Sequence, residues 1–248
     1  MLKILKIIFR LVTIAVLAGY LVYAFQHLTG KGDKSTCVAI NIRITDEARG
    51  FVKQNEIIST LQKSQTYPIG KVMDQISNRA IEETIRKNPY ISNVICYKSH
   101  GGNVNLLIEQ RIPIMRIIPD VGASFYLDET GICLPTLNYS GDYLVATGHI
   151  DTTYAKKELL KLAQFVKNND FWNNQLEQVH VNPDKKIDIY PRVGKQVVRF
   201  GTMEKIEKKF DNLKLFYDKV MPVVGWNKYH ELNIAYTNQV IGKKKLKK

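Results

Sequence analysis

The 248-residue sequence predicts an α+β fold held behind a single membrane-spanning helix. Residues 11–30, LVTIAVLAGYLVYAFQHLTG, contain no charged residue. Segments with period-two alternation recur through the rest of the chain, as strands with one buried face require. Between them lie stretches whose apolar residues step by three and four, the spacing of amphipathic helices.

A helix over residues 11–30 rises about 1.5 Å per residue and spans about 30 Å, the thickness of a bilayer core. Lys3, Lys6 and Arg10 precede it, and a mixed set (Lys31, Asp33, Lys34) follows. The positive-inside rule then leaves residues 1–10 in the cytoplasm and places the remainder outside. A cleaved signal peptide has an apolar core of about 7–15 residues and a small-x-small cleavage site. Here the run is longer and ends in Tyr23, Phe25, Gln26 and His27. A buried soluble helix fits less well, because apolar residues cover every face. The lipid bilayer is therefore a partner, through residues 11–30.

The rest is long enough for one or two domains with real cores. The net charge of +13 invites a nucleic-acid reading, but much of it sits at the ends. The N-terminal arm holds Lys3, Lys6 and Arg10, and the tail, 242–248, reads GKKKLKK. What remains is a small excess without a stripe. A solvated, frayed end explains the tail; otherwise an acidic surface or anionic lipid would be its partner. Cys37, Cys96 and Cys133 form no close pair, which removes both a CxxC redox site and a zinc knuckle. Small buried thiols are the expectation, with one bridge among the three left open.

In order, residues 31–35 form a polar linker. Val38, Ile40, Ile42 and Ile44 alternate with Ala39, Asn41 and Arg43, a strand. In QNEIISTLQKS, Asn55 caps a short helix that turns Ile57, Ile58 and Leu61 inward. After Tyr67-Pro68-Ile69-Gly70, a second helix runs over 73–87 with Met73, Ile76, Ala80, Ile81 and Ile85 as its stripe. Asn88-Pro89 stops it, because the residue before proline avoids helical angles. Residues 91–97 and 104–109 are two strands, and Gly101-Gly102 supplies the positive φ of a hairpin. The order β-α-α-β-β makes a compact α+β unit.

That order, placed directly behind a signal anchor, resembles a POTRA domain. The passage Ile81-Glu82 to Ile85, then Asn88-Pro89-Tyr90-Ile91-Ser92-Asn93-Val94, is similar to one in the FtsQ/DivIB cell-division family. Glu109-Gln110-Arg111-Ile112-Pro113 resembles that family's Glu-Arg-x-Pro element with one residue inserted. Tyr126-Leu127-Asp128-Glu129-Thr130-Gly131 resembles its aromatic-Leu-Asp-x-x-Gly hairpin, although an Asp-to-Gly turn needs no function to explain it. Pro135 and residues 141–148 read as loop and short strand. A helix follows over 153–167, burying Leu159, Leu160, Leu162, Ala163 and Val166.

Strands over 176–181, 187–190 and 196–200 end at Asn182-Pro183-Asp184, Pro191-Arg192-Val193-Gly194 and Gly201. Ile206, Phe210, Leu213, Tyr217 and Val220 then mark an amphipathic helix. The last element, 231–241, alternates Leu232, Ile234, Tyr236 and Val240 and reads as a closing strand. It resembles the family's Asp-Leu-Arg-Tyr strand, with Asn233, Ile234, Ala235 and Tyr236 in those places; Ala235 departs from the arginine common there.

No catalytic constellation accompanies these elements. His27, His100, His149, His180 and His230 are scattered, without HExxH or a pair at ligand spacing. His180 reads as a solvated strand residue. GxSxG, SxxK and the P-loop are absent, so neither a nucleophile nor any cofactor is signalled. Asp128 and Glu129, neighbours on a strand, point to opposite faces and read as turn residues. Asn138-Tyr139-Ser140 has the form of a glycosylation acceptor but carries no weight in a bacterial chain. The thirteen tyrosines mostly alternate with aliphatics, as core or interface residues do, and no nucleic-acid site follows.

A sheet-rich module of this kind works by binding, and an exposed sheet edge offers a row of N–H and C=O groups to a partner strand. The C-terminal strand is the candidate, with Tyr229, Leu232, Asn233, Ile234, Ala235, Tyr236 and Gln239 as partner-binding residues; its lysines could equally guard the edge. The resemblance implies a bitopic scaffold of the bacterial inner membrane at the division site, mostly periplasmic, and not an enzyme. It implies a POTRA domain (37–110) meeting further divisome proteins and a mixed β domain (111–241) with two packed helices, binding partners of the FtsB/FtsL type. The rival readings are an anchored cell-wall enzyme, which needs clustered acids or a serine-lysine pair, and a POTRA chaperone of outer-membrane assembly, which usually carries tandem POTRA units.

Overall fold

The computed structural model describes residues 2–29, 34–136 and 141–245. Most of the linker, the Asn138-Tyr139-Ser140 triplet and the last three residues of the tail lie outside this set. The first helix, α1 (Leu2–Thr29), contains Ile8–Phe25, a stretch long and apolar enough to cross a membrane, and none of that stretch is buried in the protein. The chain divides into two compact units. The first holds the chain to Thr45, Lys53–Lys87 and Asn93–Glu109; the second holds Asp46–Val52, Asn88–Ser92 and the chain from Gln110.

The first unit has the order β1 (Ala39–Ile44), α2 (Gln54–Lys63), α3 (Asn78–Ile85), β2 (Ile91–Ser99) and β3 (Asn103–Gln110). Its sheet runs β1-β3-β2, with β1 parallel to β3. Ile57 and Leu61 of α2, Ile81 and Ile85 of α3, and Val104, Leu106 and Ile108 of β3 are all buried. The β2–β3 turn needs its glycines: Gly102 has φ 75°, and a Cβ there would lie 2.6 Å from the Thr36 carbonyl oxygen. Two local expectations are corrected. Asn55 lies inside α2, whose N-cap is Lys53 without a side-chain bond. The helix expected over 73–87 is a 3-10 turn (Met73–Gln75) followed by α3. Ile76 between them is extended, because the Ser77 side chain caps α3 by accepting from Ala80 N at 3.2 Å.

The second unit is a nine-stranded mixed sheet with helices. Its chain order is β4 (Pro113–Pro119), β5 (Phe125–Asp128), β6 (Cys133–Pro135), β7 (Leu144–Gly148), α4 (Thr152–Tyr154), a π-helical turn (Ala155–Leu159) and α5 (Leu160–Lys167). Then come α6 (Asp170–Gln175), β8 (Leu176–Val181), β9 (Ile187–Pro191), β10 (Val197–Gly201), α7 (Ile206–Lys219), α8 (Met221–Val224), β11 (Tyr229–Asn233) and β12 (Ile241–Lys244). The spatial order is β12-β11-β10-β9-β8-β7-β4-β5-β6.

The helical segment from Thr152 starts where the Asp151 carboxylate accepts from Tyr154 N at 2.8 Å. Its Leu159, Leu162, Ala163 and Val166 join Trp172, Phe210, Leu213, Tyr217, Ile189, Val198 and Leu232 in one core. Trp172 and Phe210 anchor that core with ring centroids 4.8 Å apart. β10 and β11 are parallel, so the connection between them must cross over, and α7 with α8 makes that crossing.

Candidate partner-binding edge

A nine-stranded open sheet has two edges. β6 is only three residues long and ends in Pro135, two features that blunt an edge against strand addition. The other edge is β12 (Ile241–Lys244), which apart from Ile241 is built from residues expected to be frayed tail. It runs antiparallel to β11 with Leu232 opposite Gly242 and Asn233 opposite Ile241. Among the described residues no strand lies beyond it. Gly242 fits because Tyr229 lies against it: a Cβ at Gly242 would come within 2.7 Å of the tyrosine ring. Tyr229 in turn packs edge-on to Phe216 of α7, 5.6 Å between centroids.

The single closing strand expected over 231–241 is therefore corrected to two short strands and a turn. Asn233 ends β11 by accepting from Ala235 N at 3.0 Å, an Asx turn that takes the backbone out of the sheet. Leu232 and Ile234 are fully buried, so these two candidates face the core and not a partner. Asn233 and Ala235 are half-buried, Tyr229 is held under β12, and Gln239 is exposed in the connection. Tyr236 is 55% exposed beside the edge. Ala235 packs close to Gly201, which has φ 77°; a Cβ on that glycine would lie 2.9 Å from the Ala235 Cβ.

The face of β9–β12 turned away from Leu232 and Val198 carries a row of charges that sequence reasoning missed. Asp188 on β9 pairs with Arg199 on β10 and accepts from Asn182 Nδ2 at 2.9 Å. Arg199 Nε donates to Glu231 Oε2 on β11 at 3.0 Å, and Lys243 Nζ on β12 donates to Glu231 Oε1 at 2.6 Å. The ammonium of Lys243, bonded to it, holds the Glu231 carboxyl below the usual range against the upward push of burial, with Arg199 helping. Arg199 is held more firmly protonated, chiefly by its bond to Glu231. With Asn182, Tyr236 and Ala235 these side chains line an open cleft of about 700 Å³. The alternation that sets Asp188 apart from Ile187 and Ile189 on β9, and Arg199 from Val198 and Phe200 on β10, was visible in the sequence; a lysine of the expected tail completed the row.

Candidate chemistry elsewhere is occupied by structure. Asp128 is buried, accepts from Ile132 N at 2.7 Å and Thr130 N at 2.9 Å, and pairs with Arg111 at 3.0 Å. Glu129 points the other way, exposed and bonded to Lys167. His180 is half-buried, not solvated, with Nδ1 3.0 Å from the Thr147 hydroxyl. All three cysteines are free thiols, Cys37 and Cys96 buried and Cys133 half-buried, and burial pushes the Cys96 thiol up to about 12. Among the described residues no group of three or more His, Cys, Asp or Glu side chains could hold a metal ion.

A helix long and apolar enough to cross a membrane, a small β-α-α-β-β unit and a mixed sheet follow one another along the chain. A POTRA-like domain model matches residues 35–109, and the model described as FtsQ/DivIB, C-terminal related, matches residues 112–243. The chain belongs to the FtsQ/DivIB family. It is similar to a cell division protein FtsQ of Geotalea daltonii (strain DSM 22248 / JCM 15807 / FRC-32), 25% identical over 178 residues. That match takes in 67% of this chain and spans 63% of the length of the relative.

Proposed function

We propose that this chain is a single-pass cell-division scaffold whose large part lies outside the cytoplasmic membrane and recruits partner proteins at the division site. The observation that carries the reading is the open β12 edge of an extensive, well-packed sheet. Membership of a family that includes a cell division protein supports the setting. The bilayer is engaged through residues 11–30, with residues 1–10 on the cytoplasmic side. The POTRA unit (37–110) meets further divisome proteins. The second domain (111–241) together with the β12 residues of the tail holds a membrane protein of the FtsB/FtsL type by strand addition, with Tyr236 as an aromatic anchor beside the added strand. No chemical step is assigned to this chain.

In-cell photo-crosslinking tests this. The reactive residue is placed in turn at Tyr236, Ile241 and Lys244, with buried Leu232 as the control, and adducts are identified by mass spectrometry. Adducts to a small membrane protein from the three edge positions and none from Leu232 are expected. If a stably expressed chain gives no protein adduct at any edge position, the strand-addition site is wrong.

A further inference from the structure

We infer that the strand added to β12 carries an aspartate or glutamate in register with Lys243. The inference rests on the strand-addition reading above and says what the incoming strand must be. Its basis is the row of charges across the last four strands: Asp188, Arg199, Glu231 and Lys243 alternate in sign, one per strand. Each inner member is answered on both sides. Arg199 bonds to Asp188 and to Glu231, and Glu231 bonds to Arg199 and to Lys243. Among the described residues, Lys243, at the open end of the row, is answered on one side only. Its ammonium has three donors and bonds to Glu231, and its side chain stays 61% exposed on the open side of the sheet.

A neutral strand laid against β12 would take water from that ammonium without replacing it, whereas a carboxylate would continue the alternation. Opposite charges directly across a strand pair stabilise it, and like charges destabilise it. The remaining charges of the edge agree. Lys244 and Lys245 follow Lys243, and residues 241–245 include no acid. A second copy of this chain fits poorly for the same reason, since two such edges would set lysine against lysine.

The test uses the full chain in lipid nanodiscs and short fluorescent peptides of alternating threonine and valine whose central residue is Glu, Gln or Lys, read by anisotropy. The Glu peptide should bind about two- to fivefold tighter than the Gln peptide, and the Lys peptide weakest. Lys243→Met should erase the order and Lys243→Glu should invert it. Lys244→Glu, at the neighbouring position of opposite side-chain direction, should leave the order in place. Equal binding of the three peptides, or inversion by Lys244→Glu as strong as by Lys243→Glu, overturns the register claim and leaves strand addition standing. Failure of every peptide to bind overturns strand addition and this inference with it.

Discussion

Gly201→Ala should destabilise the second unit by an amount that depends on the residue at position 235. Two penalties act at once. Gly201 sits at φ 77°, and holding an L-residue in the left-handed region costs about 1–2 kcal/mol. The new methyl would also stand 2.9 Å from the Ala235 Cβ, a contact that one of the two backbones must yield to relieve. Overpacking of this kind costs about 1–3 kcal/mol. Together they predict a loss of about 2–5 kcal/mol, falling to about 1–2 kcal/mol when Ala235→Gly removes the facing methyl. Tryptophan fluorescence during urea unfolding reads this unit alone, since both tryptophans, Trp172 and Trp226, lie in it. Because Ala235 belongs to the turn between β11 and β12, Gly201→Ala should also weaken photo-adducts at Ile241. Equal costs in the two backgrounds, or a single-variant cost under about 0.5 kcal/mol, would refute the contact and the account of this turn built on it.

Leu232→Ala should cost about 2–5 kcal/mol as a fully buried leucine, whereas Tyr236→Ala should change stability by no more than about 0.5 kcal/mol and act on partner binding instead; urea midpoints and crosslinking yields separate the two. Tyr217 is pushed up to about 12 by burial from the ordinary 10.0, with its bond to Gln196 working the other way. Its hydroxyl ionises first in the unfolded chain, so its contribution is whole below about pH 10 and is lost as pH rises to about 12; Tyr217→Phe should flatten that alkaline loss in urea midpoints. Glu231, held low by Lys243, contributes stability above its ordinary 4.5 and loses it as pH falls further. Glu231→Gln should therefore flatten the acid limb, with unfolding followed at pH 3–7 as the check.

The elements legible in the sequence were those with an unbroken apolar run or with side chains that report a single burial face. The uncharged run of α1, the β-α-α-β-β order and strands β8 to β10 follow from periodicity and turn residues alone. The misreadings came where a polar side chain redirected the backbone. Ser77 captures Ala80 N and breaks the expected helix after Gln75. Asn233 captures Ala235 N and breaks the expected last strand, even though Leu232, Ile234 and Tyr236 keep a period of two through the break. Hydropathy patterns register which residues are apolar and not where an amide side chain competes for a backbone donor. The candidate edge was half legible for a related reason. Partner residues were sought along one continuous last strand, and two of them, Leu232 and Ile234, proved to be core.

The lysines of β12 reconcile two demands on one short strand. An exposed edge next to a large sheet invites any strand to pair, and natural edges are kept short and cationic to prevent it. β12 has four residues, two of them lysine, and is paired antiparallel to β11, with Gly242 lying against Tyr229 and Lys243 bonded to Glu231. Under the strand-addition proposal, the same charges that would turn away a second copy leave the outer side of Lys243 open, and that position would select for an acid. Protection and recognition are then one electrostatic pattern with opposite outcomes for different strands. Specificity of this kind is most sensitive to the sign of a single side chain and least sensitive to the size of the interface. Exchanging Lys243 should therefore alter which strand is accepted well before it alters whether the sheet folds.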